Sequence, residues 1–123
     1  MSKWLSTLAA ALALGASITP AMAAENLGPS QAEIGFIELD KDITVRRMVV
    51  HNPKAKGVVL FLHGFPETLH AWELATAALG DEYEVHAFDW PGYGLSSRPA
   101  IDIFSYSPRD YARVLREYIA KAG

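Results

Sequence analysis

Five consecutive apolar residues, Val58 to Leu62, run straight into His63-Gly64-Phe65-Pro66-Glu67. An uncharged run of that length, bounded by Gly57 and Gly64, reads as a strand buried on both faces of a parallel sheet. Leu69 to Leu79 follows as a helix, with Leu69, Trp72, Ala75 or Thr76, and Leu79 on one face and Gly80 just past its end. Tyr83 to Phe88 is the next strand. Strand, helix, strand in that order implies a right-handed crossover and a parallel strand pair. The His63–Glu67 turn then leaves the sheet at its C-terminal edge, where open α/β folds bind their ligands.

The flanking segments extend this pattern. Glu33 to Leu39 and Ile43 to Val50 read as strands joined around Asp40-Lys41-Asp42. Ile43, Val45 and Val49 stand at period two, so one face of the second strand is expected to be wet. Asn52-Pro53-Lys54 and Gly92 to Asp102 read as loops. The last helix carries its own start signal: Ser107 as N-cap, Pro108 at the first helical position and Asp110 three residues after the cap. Tyr111, Val114, Leu115, Tyr118 and Ile119 then repeat on one face. The fold class is α/β, ordered β-β-β-α-β-α.

Composition excludes several kinds of chemistry. No Lys/Arg cluster points to nucleic acid, and the formal charge is only −3. There is no cysteine, hence no disulfide, thiolate nucleophile or cysteine zinc site. The four histidines, His51, His63, His70 and His86, show no metal-binding spacing, and no metal site is expected.

The N-terminus has the marks of an export signal. Lys3 precedes an uncharged, largely apolar run from Leu5 to Ile18, then Pro20, then Ala21-Met22-Ala23. This reads as a bacterial-type secretory signal peptide over residues 1–23, cleaved after Ala23. The apolar run is 14 residues long, short of the roughly 20 that a spanning helix needs, so no stable membrane span is expected. Residues 24–32 read as a flexible leader and 33–123 as the folded domain. The expected location is periplasmic or secreted.

Two motifs carry a resemblance: His63-Gly64-Phe65-Pro66-Glu67 after an apolar strand, and Asp89-Trp90-Pro91-Gly92-Tyr93-Gly94-Leu95-Ser96 after the next. Together, over about Ile34 to Ala120, they resemble the N-terminal part of an α/β-hydrolase, with a sheet that is incomplete by comparison. The resemblance implies that His63, Gly64, Phe65 and Pro66 form the oxyanion-hole loop, and that the Phe65 backbone N–H donates to the developing oxyanion. Such a donor contributes about 2.7–4 kcal/mol in measured cases. His63 is then a loop-structuring residue. By their position Glu67 and His70 are candidates for the pocket, although a helix N-terminus also explains a carboxylate at Glu67, and Trp72 and Tyr93 read as core or pocket wall. No cofactor is implied, since the family's hydrolases use water and side chains; the partner implied is a small-molecule substrate.

The same resemblance sets a limit. The family carries its nucleophile, acid and histidine later in the chain, and no Gly-x-Ser-x-Gly or comparable Asp elbow occurs among these 123 residues. The expectation is therefore the N-terminal portion of an exported hydrolase, inactive alone, with the elbow just beyond Gly123. His-Gly-Phe-Pro-Glu looks most like epoxide hydrolases and fluoroacetate-type dehalogenases, which use an Asp nucleophile. Haloalkane dehalogenases with Asn at the position of Phe65 fit less well. Serine esterases, lactonases and C–C bond hydrolases stay open, as do an enzyme split over two chains and a non-enzymatic binding or dimerisation module on a hydrolase half-fold. Asp89 is expected to hydrogen-bond loop backbone rather than do acid chemistry. An unpaired apolar sheet edge predicts self-association.

Overall fold

The computed structural model describes residues 32–123; the expected signal peptide and all of the expected leader but Ala32 lie outside the described residues. Four strands, β1 (Glu33–Asp40), β2 (Ile43–Val50), β3 (Val58–Leu62) and β4 (Glu84–Phe88), form one sheet in the order β1-β2-β4-β3. β1 and β2 pair antiparallel around the Lys41-Asp42 turn, and β2 pairs antiparallel with β4. β3 and β4 pair parallel, Val58 opposite Glu84 and Leu62 opposite Phe88. The loops after β3 and β4 therefore leave from the same end of the sheet.

The expected helix between these strands is two pieces. Leu69–Trp72 is a 3₁₀ turn capped by the Thr68 side chain, and α1 (Glu73–Leu79) continues from it. Tight winding over the first turn brings Leu69 (fully buried) and Thr76 onto the sheet, while Ala75 and Leu79 are only half-buried. This segment covers one face, where Met48, Leu69 and Ala87 form a small core with Phe61 and Trp72 packed on it. Helix α2 (Pro108–Ala122) covers the other. There Leu39, Ile43, Val45, Phe88, Phe104, Val114 and Tyr118 form the larger core.

The start signal of α2 works as read, with one difference. Ser107 Oγ accepts the Asp110 N–H at 3.3 Å. The Asp110 carboxylate reaches back past the cap to the N–H and hydroxyl of Ser105, at 2.7 and 2.6 Å. Those bonds stabilise its ionised form and hold its pKa below the usual aspartate range.

Two burial expectations are corrected. β2 has no wet face: Thr44 and Arg46 are half-buried and hydrogen-bonded to Ser96, Ser97 and Asp89 of the loop after β4, and Met48, Val49 and Val50 are buried in succession. β3 is not buried on both faces. It is an edge strand of the described sheet with one neighbour, so Val59 to Leu62 are half-buried and Val58 is exposed. His86 stands on β4. It is buried, its Nε2 hydrogen-bonded to Glu84 at 2.9 Å and its Nδ1 to the Tyr118 hydroxyl at 2.9 Å. That contact pins α2 to β4.

Tyr118 is buried beneath α2, and burial raises its pKa above the ordinary tyrosine value, with Arg47 opposing. An unfolded chain ionises this phenol first. Its contribution to stability is therefore intact below about pH 10 and is lost as pH rises through the folded value. Thermal melts between pH 8 and 11.5 are expected to show the midpoint falling above about pH 10, with a shallower fall in Tyr118→Phe; equal slopes for the two chains would contradict the assignment.

Candidate functional site

The His63–Glu67 loop turns where β3 ends. The Glu67 N–H bonds the Gly64 carbonyl at 2.9 Å and closes the turn; the Phe65–Pro66 peptide is cis. His63 is buried and both its ring nitrogens are engaged. Nδ1–H donates to the Gly64 carbonyl at 2.9 Å, and Nε2 accepts the Trp90 N–H at 3.2 Å. The Trp90 indole N–H returns to the His63 carbonyl at 3.1 Å. An imidazole held at both nitrogens locks one loop to the next and has no lone pair free to act as a base.

Asp89, at the end of β4, is fully buried and organises the second loop. Oδ1 accepts the Leu69 N–H at 2.7 Å; Oδ2 accepts Arg46 Nε at 2.8 Å and the Leu95 N–H at 3.1 Å. The Ser96 hydroxyl donates to the Asp89 carbonyl at 2.6 Å and accepts the Arg46 N–H at 2.9 Å. All of these bonds hold structure, and the carboxylate has no opening toward a ligand. Gly94 is required beside it: its φ is +48°, and a Cβ there would lie 2.0 Å from Asp89 Oδ2.

Between the two loops lies an open cleft of about 570 Å³. Phe65, Pro66, Glu67 and Thr68 line one side. Gly92, Tyr93, Gly94 and Arg98 line the other, and Tyr106 and Tyr111 close the end. Phe65 is 84% exposed and meets Tyr93 edge-on at 6.5 Å. Among the described residues no acceptor takes the Phe65 N–H. Burial raises the Tyr111 pKa, with the neighbouring Tyr93 and Tyr106 adding to the shift.

Of the expected pocket residues, Glu67 and Tyr93 line this cleft and two do not. His70 points to solvent and pairs with Glu73 on its own helical segment. Trp72 stacks on Phe61 at 4.6 Å, beneath the sheet. His70 was expected there because it follows the loop in sequence, and the 3₁₀ turn carries it away; Trp72 takes the core alternative. Sequence reading missed Arg98, Tyr106 and Tyr111 in the lining; their one shared signal is that they flank the loop after β4. It also missed Arg46, whose partner Asp89 is 43 residues away. Among the described residues no group of His, Cys, Asp and Glu is arranged to hold a metal ion. Nor is any helix there long and apolar enough to cross a membrane.

Comparison with known proteins agrees with this geometry. A sequence profile of the alpha/beta hydrolase fold matches residues 57–122. Fluoroacetate dehalogenase from Burkholderia sp is 39% identical over 84 residues, covering 67% of this chain and 27% of that protein. Epoxide hydrolase 1 from Caenorhabditis elegans is 32% identical over 68 residues, 55% of this chain and 17% of that one. The crystal structure of wild-type Cfl2 from Burkholderia cenocepacia superposes with a TM-score of 0.62 at 27% identity, over 72% of this chain and 29% of that chain. The chain belongs to the alpha/beta hydrolase fold family, with dehalogenases and epoxide hydrolases among its relatives. It spans 27% and 17% of the lengths of the two curated relatives above.

Asp89 balances the charge of an Arg46 side chain that is only 11% exposed. Asp89→Asn leaves that guanidinium without its counter-charge, and removing one partner of a buried pair costs about 3–5 kcal/mol. Urea unfolding of the variant is expected to show a loss in that range; a loss under about 1 kcal/mol would mean the pair is solvated.

Proposed function

We propose that this chain supplies the oxyanion-hole side of a hydrolase site of the dehalogenase or epoxide hydrolase type, acting on a small-molecule substrate in the cleft between the His63–Glu67 and Trp90–Arg98 loops. The observation that carries the reading is the Phe65 N–H. It stands at the C-terminal end of a parallel strand pair, has no acceptor among the described residues, and belongs to a loop whose neighbours His63 and Glu67 are tied into structure. In hydrolysis of this kind negative charge gathers on an oxygen, and a donor already fixed in place stabilises it without reorganisation. Gly64 lets the backbone approach, Pro66 stiffens the loop, and Tyr93 walls the cleft opposite Phe65. A second N–H, from the residue after a nucleophile, would complete the hole. The nucleophile, acid and histidine would come from residues outside these 123, which makes this chain inactive by itself.

The DNA following the Gly123 codon tests this reading. It is expected to encode, in frame or after one frameshift, a strand followed by a Gly-x-Ser or Gly-x-Asp elbow and a later histidine. The elbow residue would decide between esterase-like and epoxide hydrolase or dehalogenase-like chemistry. Unrelated sequence there would overturn the proposal. The 123-residue chain is expected to turn over fluoroacetate, styrene oxide and nitrophenyl esters no faster than a variant with the 64–66 loop replaced. Turnover well above that control would show that the chain holds a working nucleophile.

We also propose that the chain is exported, on the strength of Lys3, the apolar run Leu5–Ile18 and Ala21-Met22-Ala23. Expressed in a Gram-negative host, it is expected in the periplasm with Ala24 as its new N-terminus. An intact Met1 on cytoplasmic protein would refute this.

A further inference from the structure

The Phe65 N–H owes its direction to the peptide it belongs to. The Gly64–Phe65 peptide is trans, since Phe65–Pro66 is the one cis bond among the described residues. A trans peptide is planar, with its C=O and N–H pointing opposite ways. Whatever holds the Gly64 carbonyl therefore also aims the Phe65 N–H. Packing does not hold it: a Cβ built on Gly64 would meet nothing within 4 Å, and glycine leaves the backbone free to turn the peptide over. Two donors do hold it, the Glu67 N–H and His63 Nδ1–H, each at 2.9 Å. The first comes from the same turn. The second comes from a ring that is only 5% exposed and anchored to the neighbouring loop.

We infer that His63 is the positioning residue of the oxyanion donor, and that the proton on its Nδ1 sets the aim. The Trp90 backbone N–H can only donate, so the nitrogen it meets, Nε2 at 3.2 Å, must carry the lone pair. The proton of the neutral ring is then fixed on Nδ1, where it grips the Gly64 carbonyl. With that carbonyl drawn toward the buried ring, the Phe65 N–H faces the opposite way, on the side where Phe65 lines the cleft. The Trp90 indole N–H holds the His63 carbonyl at 3.1 Å, so ring and backbone keep one register. With the peptide turned over, the Gly64 oxygen would face the developing negative charge in place of the N–H and repel it. Every partner in this series of contacts lies among the described residues. The inference rests on the reading of the Phe65 N–H as an oxyanion donor; the aim of the peptide itself does not.

Two substitutions separate aiming from general support of the loop. His63→Asn puts an amide N–H where Nδ1–H stands and gives up the Nε2 acceptor. His63→Gln puts an amide oxygen where Nε2 stands and gives up the Nδ1–H donor. Each loses one hydrogen bond, so a histidine that merely braces the loop would tolerate both changes equally. In the full 123-residue chain, nitrogen NMR is expected to show the His63 ring protonated at Nδ1 and bare at Nε2. Broadening of the Phe65 amide signal by a soluble gadolinium chelate is expected to persist in His63→Asn and to be lost in His63→Gln. The crystal structure of the second variant is expected to show the Gly64 carbonyl on the cleft side. A wild-type ring protonated at Nε2 would overturn the proposal, and that result needs no variant to fold. Equal broadening in the two variants would overturn it too, since the Glu67 N–H would then hold the carbonyl unaided. Unrelated DNA beyond the Gly123 codon would remove the hydrolytic reading and leave these signals unchanged, so the two failures are told apart.

Discussion

The buried carboxylate of Asp89 is the contact on which the remaining architecture rests. It receives the Leu69 N–H that starts the helical segment over one face, the Arg46 guanidinium from β2, and the Leu95 N–H of the glycine loop. Three elements far apart in sequence converge on two oxygen atoms without solvent exposure. A charge in that position is tolerable only when ionic and N–H donors surround it, so each donor is held to its place as firmly as the carboxylate itself. Gly94 follows from the same constraint, since no side chain fits between the loop and Asp89.

Around this centre the two faces of the sheet serve different ends. The face under α2 is aromatic: Phe88 stacks on Tyr118 at 4.5 Å, and Trp90 meets Phe88 and Tyr111 edge-on at 4.9 and 5.2 Å. These contacts fix the first turns of α2, and with them Tyr106 and Tyr111, against the loop after β4. The cleft thus has a wall that belongs to the core. Its opposite wall, Phe65 to Thr68, is fixed by His63, whose ring and backbone each accept a hydrogen bond from Trp90 and whose Nδ1–H donates to the Gly64 carbonyl. Rigid walls on both sides are what a preorganised site requires.

The outer edge of β3 sits apart from this organisation. A continuous apolar run is the sequence signature of a strand covered on all sides, yet among the described residues β3 is covered on one side only. The chain spans a minor part of the length of its curated relatives.

Much of the chain was legible in its sequence. Both motifs, the parallel β3–β4 pair, the turn at Lys41-Asp42 and the start of α2 at Ser107 were readable because each is encoded within a few residues: an apolar run, a glycine or a hydroxyl in the right place. Reading failed where distance mattered. Arg46 looked like an alternating surface residue of β2 and is a buried ion-pair partner. His86 gave no sign of its partners in the sequence and is pinned between Glu84 and Tyr118. His70 looked like a pocket residue and faces away from the cleft, Trp72 is core rather than pocket wall, and the cleft takes Arg98, Tyr106 and Tyr111. The sequence by itself determined the elements, their order and the family; the tertiary structure alone decided burial and the lining of the cleft. The reason is that caps and periodicity act over one or two turns of chain, whereas a buried charge or an edge strand is defined by neighbours tens of residues away.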